Sequence, residues 1–206
     1  MAEPLRIALP KGRMSEESLE YLTARGVSST AKVANDRRLI HFDQEKNLEF
    51  LLIRSKDVGT YVEQGAADLG IVGLDLLKEH DFQVFVPLSL PFGQCTLSVA
   101  YPEGAEDWHT KRNLKVASKY PRLTSRFFFE NGHNIKIILL YGSIEIAPLT
   151  GISDVIVDLV STGQTLKANK LKQSDTILES TAQLVVNPSA HVFKRAQINE
   201  IIEKLA

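Results

Sequence analysis

The stretch VIVDLVSTGQT (155–165) puts an acid inside an apolar run, then follows it with hydroxyls and a glycine. Val155, Ile156, Val157, Leu159 and Val160 suit a strand covered on both faces. Asp158 interrupts them. An ionised carboxylate is too costly to bury alone, so it belongs near the strand end or beside a partner. Ser161, Thr162, Gly163, Gln164 and Thr165 lead into the helical-looking LKANKL, completing a strand–turn–helix unit. Such a turn offers backbone N–H groups, hydroxyls and a helix N-terminus to an anion. Gly163 permits positive φ or close approach of the backbone. A carboxylate only accepts hydrogen bonds, and a diol can donate two. Phosphate beside diol suggests a ribose 5-phosphate. The plainer reading is a capped helix with Ser161 or Thr165 as the N-cap. It explains the hydroxyls but not the acid.

Outward from this unit, short apolar runs alternate with helix-like stretches. LRIALP (5–10), LEFLLI (48–53), LGIVG (69–73), QCTLSVAYP (94–102), LKVAS (114–118), IKIILL (135–140) and TAQLVVNP (181–188) read as strands. Helices are expected over 15–25, 56–64, 75–80, through RFFFE, and over a closing segment 189–205. The alternation argues for α/β architecture with mainly parallel sheets. The prolines and glycine of PLSLPFGQC (87–95) mark a boundary between two lobes. Ligand sites in such folds lie beyond the carboxyl ends of strands.

Composition narrows the function. The 206 residues are 44% hydrophobic and 24% charged, as in an ordinary globular chain, with a net charge of −1 that offers no basic field for nucleic acid. Cys95 is the lone cysteine, and the five histidines have no metal-ligand spacing. No secretory leader is visible after MAEPLR, and no apolar run approaches the ~18 residues of a membrane span. A cytoplasmic protein without nucleic-acid or membrane partners is expected. Ser143 and Ser161 lack a His–Asp arrangement, so serine nucleophile chemistry is unsupported. The triplet FFF (127–129) reads as core plus helix face, and Trp108, in polar EGAEDWHTK, as a loop residue.

A second strand–turn unit lies upstream. YGSIEIAPLTGISD (141–154) places Gly142 and Ser143 after a strand, then Glu145, Pro148, Gly151 and Asp154. Ser143 could cap a short helix stopped by Pro148 and Gly151. The alternative is another anion-binding turn with its own carboxylate.

The whole run, G-S-x-E-x-A-P-x-x-G-x-S-D-x-I-x-D-x-V-x-T-G-x-T-L (142–166), closely resembles the phosphoribosyl-pyrophosphate signature of the ATP phosphoribosyltransferase family. RIALPKGR (6–13), IRSKDVGTYVEQGAADLGIVGLD (53–75) and VASKYPRLTSRFF (116–128) resemble other blocks of the family, in order. The resemblance implies a periplasmic-binding-protein-like fold, two α/β lobes with a cleft between them. Lobe I would hold 1–92 plus 176–206, and lobe II 93–175 with the phosphoribosyl-pyrophosphate loop. It implies the first step of histidine biosynthesis: adenine N1 of ATP attacks C1 of phosphoribosyl pyrophosphate, and pyrophosphate leaves. Mg²⁺ would arrive with the substrates rather than in a protein cage. Because the chain ends soon after its closing helix, it is expected to be a short form. Such forms are catalytic subunits, dimeric, that assemble with a regulatory protein resembling the core of histidyl-tRNA synthetase.

Residue roles follow from matching positions. Ser161, Thr162, Gly163, Gln164 and Thr165 would hold the 5-phosphate. Asp158 and Asp154 would meet the ribose hydroxyls, and Glu145 would contact ribose or nucleotide. Lys11 and Arg13, around Gly12, and Arg54 each follow a strand, where cations would grip substrate phosphates. Arg54 is assigned to the leaving pyrophosphate. Gly73 and Asp75 would form a wall of the nucleotide site, joined by Gly142 and Ser143; their plain reading is a strand followed by an Asp-capped helix. Arg37 and Arg38 are further candidates for the cleft or a neighbouring subunit. Two rivals remain at this point. A salvage phosphoribosyltransferase explains 155–165 equally well, but it would place two adjacent acids where this chain has Asp158 and Leu159. A non-catalytic two-lobed binding protein fits the architecture.

Overall fold

In the computed structural model, which describes residues 3–30 and 38–206, each strand–helix alternation closes into its own sheet. The chain divides into two units, Met1–Gly93 with Thr181–Ala206, and Gln94–Ser180.

The first unit is built on a six-stranded sheet. Its elements are β1 (Leu5–Pro10), α1 (Arg13–Ala24), β2 (Ile40–Asp43), β3 (Leu48–Ile53), α2 (Val58–Glu63), β4 (Leu69–Gly73), α3 (Leu74–Glu79) and β5 (Phe85–Ser89). The sheet order is β2-β3-β1-β4-β11-β5, with β11 (Ala182–Val186) returning from the end of the chain. Two helices, α7 (Pro188–Phe193) and α8 (Arg195–Leu205), complete the unit. β3, β1 and β4 run parallel, with Leu5 opposite Leu48 and Ile7 opposite Leu69. Alternate residues face opposite ways. Ile7, Leu9, Phe50 and Ile71 pack with Leu19, Leu22 and Ile198 on one face; Ala8, Leu51 and Val72 pack with Val58 and Val62 on the other. Burial of each large side chain contributes roughly 1.5–3 kcal/mol. At Gly70 a Cβ would meet Val62 Cγ2 at 2.7 Å, so the glycine lets α2 lie close on β4.

The second unit has β6 (Cys95–Pro102), β7 (Leu114–Ser118), α4 (Pro121–Glu130), β8 (Ile135–Leu139), α5 (Ile146–Leu149), β9 (Val155–Val160), α6 (Gln164–Ala168) and β10 (Leu171–Ser180). The sheet order is β10-β6-β9-β7-β8. β9, β7 and β8 are parallel, whereas β6 is antiparallel to both β9 and β10.

Several expectations change here. The sheets are mixed rather than mainly parallel: each has three adjacent parallel strands with antiparallel flanks. The flanks include β5 and β10, neither of which reads as a strand in sequence. Both are edge strands; β5 carries Pro87, and β10 exposes much of its length. Because β10 stays paired with β6 through Ser180 opposite Cys95, residues 176–180 belong to the second unit rather than to lobe I. Gly93 falls in the first unit. The closing helix breaks at Lys194 into α7 and α8. Asn187 caps α7, accepting the Ala190 N–H at 2.8 Å. Trp108 lies in a loop, as its sequence suggests, but its side chain belongs to the core. It is 1% exposed in the short turn Trp108–Thr110, its ring stacked on His109 and edge-on to Phe128.

Candidate active site

β7 and β8 end together, and β9 runs on beside them to Val160. Ser118 lies opposite Val157 on one side and Leu139 on the other. One step further along, Lys119 and Leu140 leave the ladder at this carboxyl edge, while Asp158 stays within β9, opposite Ser98 of β6. The turns that follow β9 and β8 meet there. A cavity of about 160 Å³ at this edge is lined by Glu145, Asp158, Leu159, Val160, Ser161, Thr162, Gly163, Thr165 and Leu166. Residues from both signature turns thus come together, although Gln164 begins α6 outside the lining.

The turn owes its shape to Gly163, which sits in the left-handed region at φ 71° and serves as the N-cap of α6. No side chain caps that helix, which corrects the plainer reading of Ser161 or Thr165 as a cap. The one approach is a long 3.5 Å bond from the Gln164 N–H to Thr162 Oγ1. The Lys167 N–H returns to the Gly163 carbonyl at 3.0 Å, so the N–H groups just ahead of it belong to the open first turn. Ser161, Thr162 and Thr165 are exposed, and the hydroxyls of Ser161 and Thr165 make no hydrogen bond among the described residues. Donors are therefore concentrated on one side of the cavity.

Asp158 is the opposite pole. Its side chain is 14% exposed and meets Lys119 Nζ at 3.4 Å. Burial pushes its carboxyl up from the ordinary value. Lys119 and the Leu159 N–H pull against burial without cancelling it, and Glu145 adds a further upward push. Glu145 is half-buried just before α5. Because it occupies the N-cap position in helical conformation, Ser143 does not cap that helix. Two acceptor-only carboxylates thus share a cavity with a donor-rich turn.

Asp154 is not brought to this edge. It stands before β9, at the amino end, where it accepts the Lys115 N–H at 2.8 Å and pairs with Lys111 Nζ at 2.9 Å. Four extended residues separate it from Asp158 by roughly 13 Å. Its carboxyl is pushed up by burial, yet ends below the ordinary value because Lys115 and Lys111 favour its charge. Gly142 and Ser143 follow β8 and are exposed. Neither positive φ nor a crowded Cβ requires a glycine at 142.

The first unit has a carboxyl edge of its own. The Lys11 N–H bonds the Ile53 carbonyl at 2.8 Å, so Lys11 and Arg54 emerge side by side from β1 and β3. Their charged groups make no ion pair among the described residues. Gly12, at φ 92°, turns the chain into α1, whose first residue, Arg13, pairs with Glu17 at 3.2 Å. Gly73 closes β4 at the same edge, and a Cβ there would run into the buried Asp75 carboxylate in the first turn of α3. Arg38 is exposed ahead of β2; Arg37 lies outside the described residues. Sequence reasoning did not single out Lys119. The signals for it were its position directly after the LKVAS strand and its place in the VASKYPRLTSRFF block.

Comparison with known proteins converges on one family. Residues 54–206 match the family model described as HisG: ATP phosphoribosyltransferase. An ATP phosphoribosyltransferase of Geobacter metallireducens is 45% identical over 208 residues, covering 100% of this chain and 98% of that protein. One from Leptospira biflexa is also 45% identical, over 98% of both chains. Among solved structures, the ATP phosphoribosyl transferase (HisG:HisZ) complex from Thermotoga maritima superposes with a TM-score of 0.81 at 33% identity, over 98% of this chain and 96% of that one. The alkanesulfonate-binding protein SsuA from Xanthomonas axonopodis reaches a TM-score of 0.65 at 12% identity, covering 100% of this chain and 73% of that one. That likeness concerns the fold alone and is the periplasmic-binding-protein-like one expected.

Proposed function

The chain belongs to the ATP phosphoribosyltransferase family, and we propose that the Ser161–Thr165 turn and Asp158 hold the phosphoribosyl group of its substrate. As a member it is a pentosyltransferase of the first step of histidine biosynthesis, which joins ATP to phosphoribosyl pyrophosphate. Adenine N1 forms a bond to ribose C1 while the C1–oxygen bond to pyrophosphate breaks. The leaving group carries the bonding pair away, and C1 gains oxocarbenium character. The salvage and binding-protein readings are not favoured.

One observation carries the assignment: Glu145, Asp158, Ser161, Thr162, Gly163 and Thr165 line a single cavity. The turn's N–H groups and free hydroxyls suit the 5-phosphate. Asp158 accepts hydrogen bonds from the ribose hydroxyls, each worth roughly 1.5–3 kcal/mol to a charged acceptor. Glu145 lies within reach of the same sugar, or of the nucleotide beside it. Holding the ribose at fixed orientation is the contribution expected where little acid–base work is needed. Lys11, Arg13 and Arg54 are assigned to substrate phosphates, with Arg54 on the departing pyrophosphate, where a positioned guanidinium stabilises developing charge. Gly12, Gly73, Asp75, Gly142 and Ser143 are assigned to the nucleotide.

Mg²⁺ is proposed as part of the substrate, bound to its diphosphate. Among the described residues no three His, Cys, Asp or Glu side chains lie together as a metal site. The relative in the Thermotoga maritima complex pairs with HisZ. A HisZ-like regulatory partner is proposed on that basis; that it resembles histidyl-tRNA synthetase, and that it assembles with dimers of this chain in the cytoplasm, is proposed from the family resemblance alone. No described helix is long and apolar enough to cross a membrane. The test is incubation with ATP, phosphoribosyl pyrophosphate, Mg²⁺ and pyrophosphatase, with and without the partner, using adenine, hypoxanthine and uracil as rival acceptors. Phosphoribosyl-ATP by mass spectrometry is expected; product from a free base alone would overturn the reading.

A further inference from the structure

Lys119 sits where three constraints meet. The parallel register that pairs Ser118 with Val157 brings the next residue, Lys119, alongside Asp158. The backbone there is fixed by the fully buried Ser118. Its hydroxyl donates to the Val157 carbonyl at 3.0 Å, and it accepts the Tyr120 N–H at 2.9 Å and the Thr124 hydroxyl at 3.0 Å. Pro121 then starts α4, which fixes the exit of the turn. The ammonium group reaches Asp158 Oδ2 at 3.4 Å, and the Lys119 side chain as a whole stays 37% exposed.

The surroundings of Asp158 make this contact consequential. Lys119, from the β7–α4 turn, is a cation that favours its charge, and Glu145, ahead of α5, opposes it. β6 presents the uncharged Ser98 opposite it. The turn after β9 presents hydroxyls and N–H groups. Without Lys119, burial and Glu145 would both drive Asp158 towards its neutral form. A neutral carboxyl has one oxygen turned into a donor and meets a diol less well.

We propose that Lys119 is a positioning residue for the phosphoribosyl site: it holds the Asp158 carboxylate ionised and oriented so that it accepts the ribose hydroxyls. The proposal rests on the assignment of Asp158 to those hydroxyls.

The test is steady-state kinetics of the full chain, with its regulatory partner present, from mildly acidic to mildly alkaline pH. Wild type is compared with Lys119→Met, Lys119→Arg, Asp158→Asn and the Lys119→Met/Asp158→Asn pair. Lys119→Met is expected to raise KM for phosphoribosyl pyrophosphate about tenfold, the size of one charge-assisted hydrogen bond, with a smaller change in kcat. The acid-side rise of that KM should also move to higher pH. Lys119→Arg should return it towards the wild-type position. In the Asp158→Asn background, Lys119→Met should add little. The proposal is overturned if Lys119→Met leaves the acid limb in place, or if its loss falls on kcat alone. If Asp158→Asn itself binds phosphoribosyl pyrophosphate as wild type does, the assignment of Asp158 fails first and takes the proposal with it.

Discussion

Replacing Asp158 by asparagine should make the protein more stable and the enzyme worse. Asp158 is 14% exposed on a strand whose neighbours Ile156 and Val157 are fully buried, and its carboxyl sits above the ordinary value. The sign follows by linkage. A group that binds its proton more tightly when folded supplies stability below the unfolded carboxylate value, near 3.9, and loses it as pH rises through the raised one. At neutral pH the ionised side chain is therefore a liability in the unliganded protein. An asparagine would keep the shape and an acceptor for Lys119 without the charge. Lys119 is exposed enough to regain solvation. The substrate loses more. A hydrogen bond to a charged acceptor is worth roughly 1.5–3 kcal/mol and one to a neutral acceptor roughly 0.5–1.5. Two ribose hydroxyls on Asp158 thus imply a loss of about 2–3 kcal/mol, or roughly 30- to 150-fold in affinity. Thermal unfolding across pH and calorimetric titration with Mg²⁺–phosphoribosyl pyrophosphate measure the two halves. The Asp158→Asn variant should melt higher than wild type at neutral pH, with the gap closing towards acid. A lower melting point at neutral pH, or unchanged affinity, would refute the reasoning.

Asp154→Asn should behave oppositely. Its carboxyl is held below the ordinary value, so its stability is present above the unfolded value and lost as pH falls through the folded one. The variant should melt lower at neutral pH, converge with wild type in acid, and keep its KM for phosphoribosyl pyrophosphate; a KM change matching that of Asp158→Asn would contradict the placement. Gly163→Ala meets no atom closer than Val160 Cγ1 at 3.9 Å, so it should cost only the left-handed backbone, about 1–2 kcal/mol. Denaturant melts measure this, and a loss above about 4 kcal/mol, at the level of an exceptional substitution, would point to a steric clash instead. Arg54→Ala should lower kcat more than it weakens ATP binding, and unchanged turnover would remove Arg54 from the leaving group. Trp108→Ala should cost roughly 3–5 kcal/mol, since the ring is buried against Phe128 and His109. A surface-like loss of about 0.5 kcal/mol would contradict its place in the core.

The site was more legible than the edges of the fold. An acid within an apolar strand, followed by hydroxyls and glycine, already specifies a place where burial and polarity conflict, and Asp158, Ser161, Thr162, Gly163 and Thr165 are found lining one cavity. Asp154 shows where such reading fails. In sequence it is four residues from Asp158 and has the same chemistry, but extended backbone leaves it ahead of β9 and puts Asp158 in the carboxyl half of the strand. Lys119 was missed for the converse reason: 39 residues separate it from Asp158, and only the parallel register unites them. β5 and β10 escaped because edge strands have no need for the apolar runs that mark central ones. Trp108 escaped because its polar neighbours along the chain are not its neighbours in the core.

The most direct test of the central claim is a crystal structure of the protein with Mg²⁺–phosphoribosyl pyrophosphate. The 5-phosphate should lie on the N–H groups and hydroxyls of the 161–165 turn, with the ribose hydroxyls on Asp158. A phosphoribosyl group bound away from this turn, or with its hydroxyls on Asp154 instead, would contradict it.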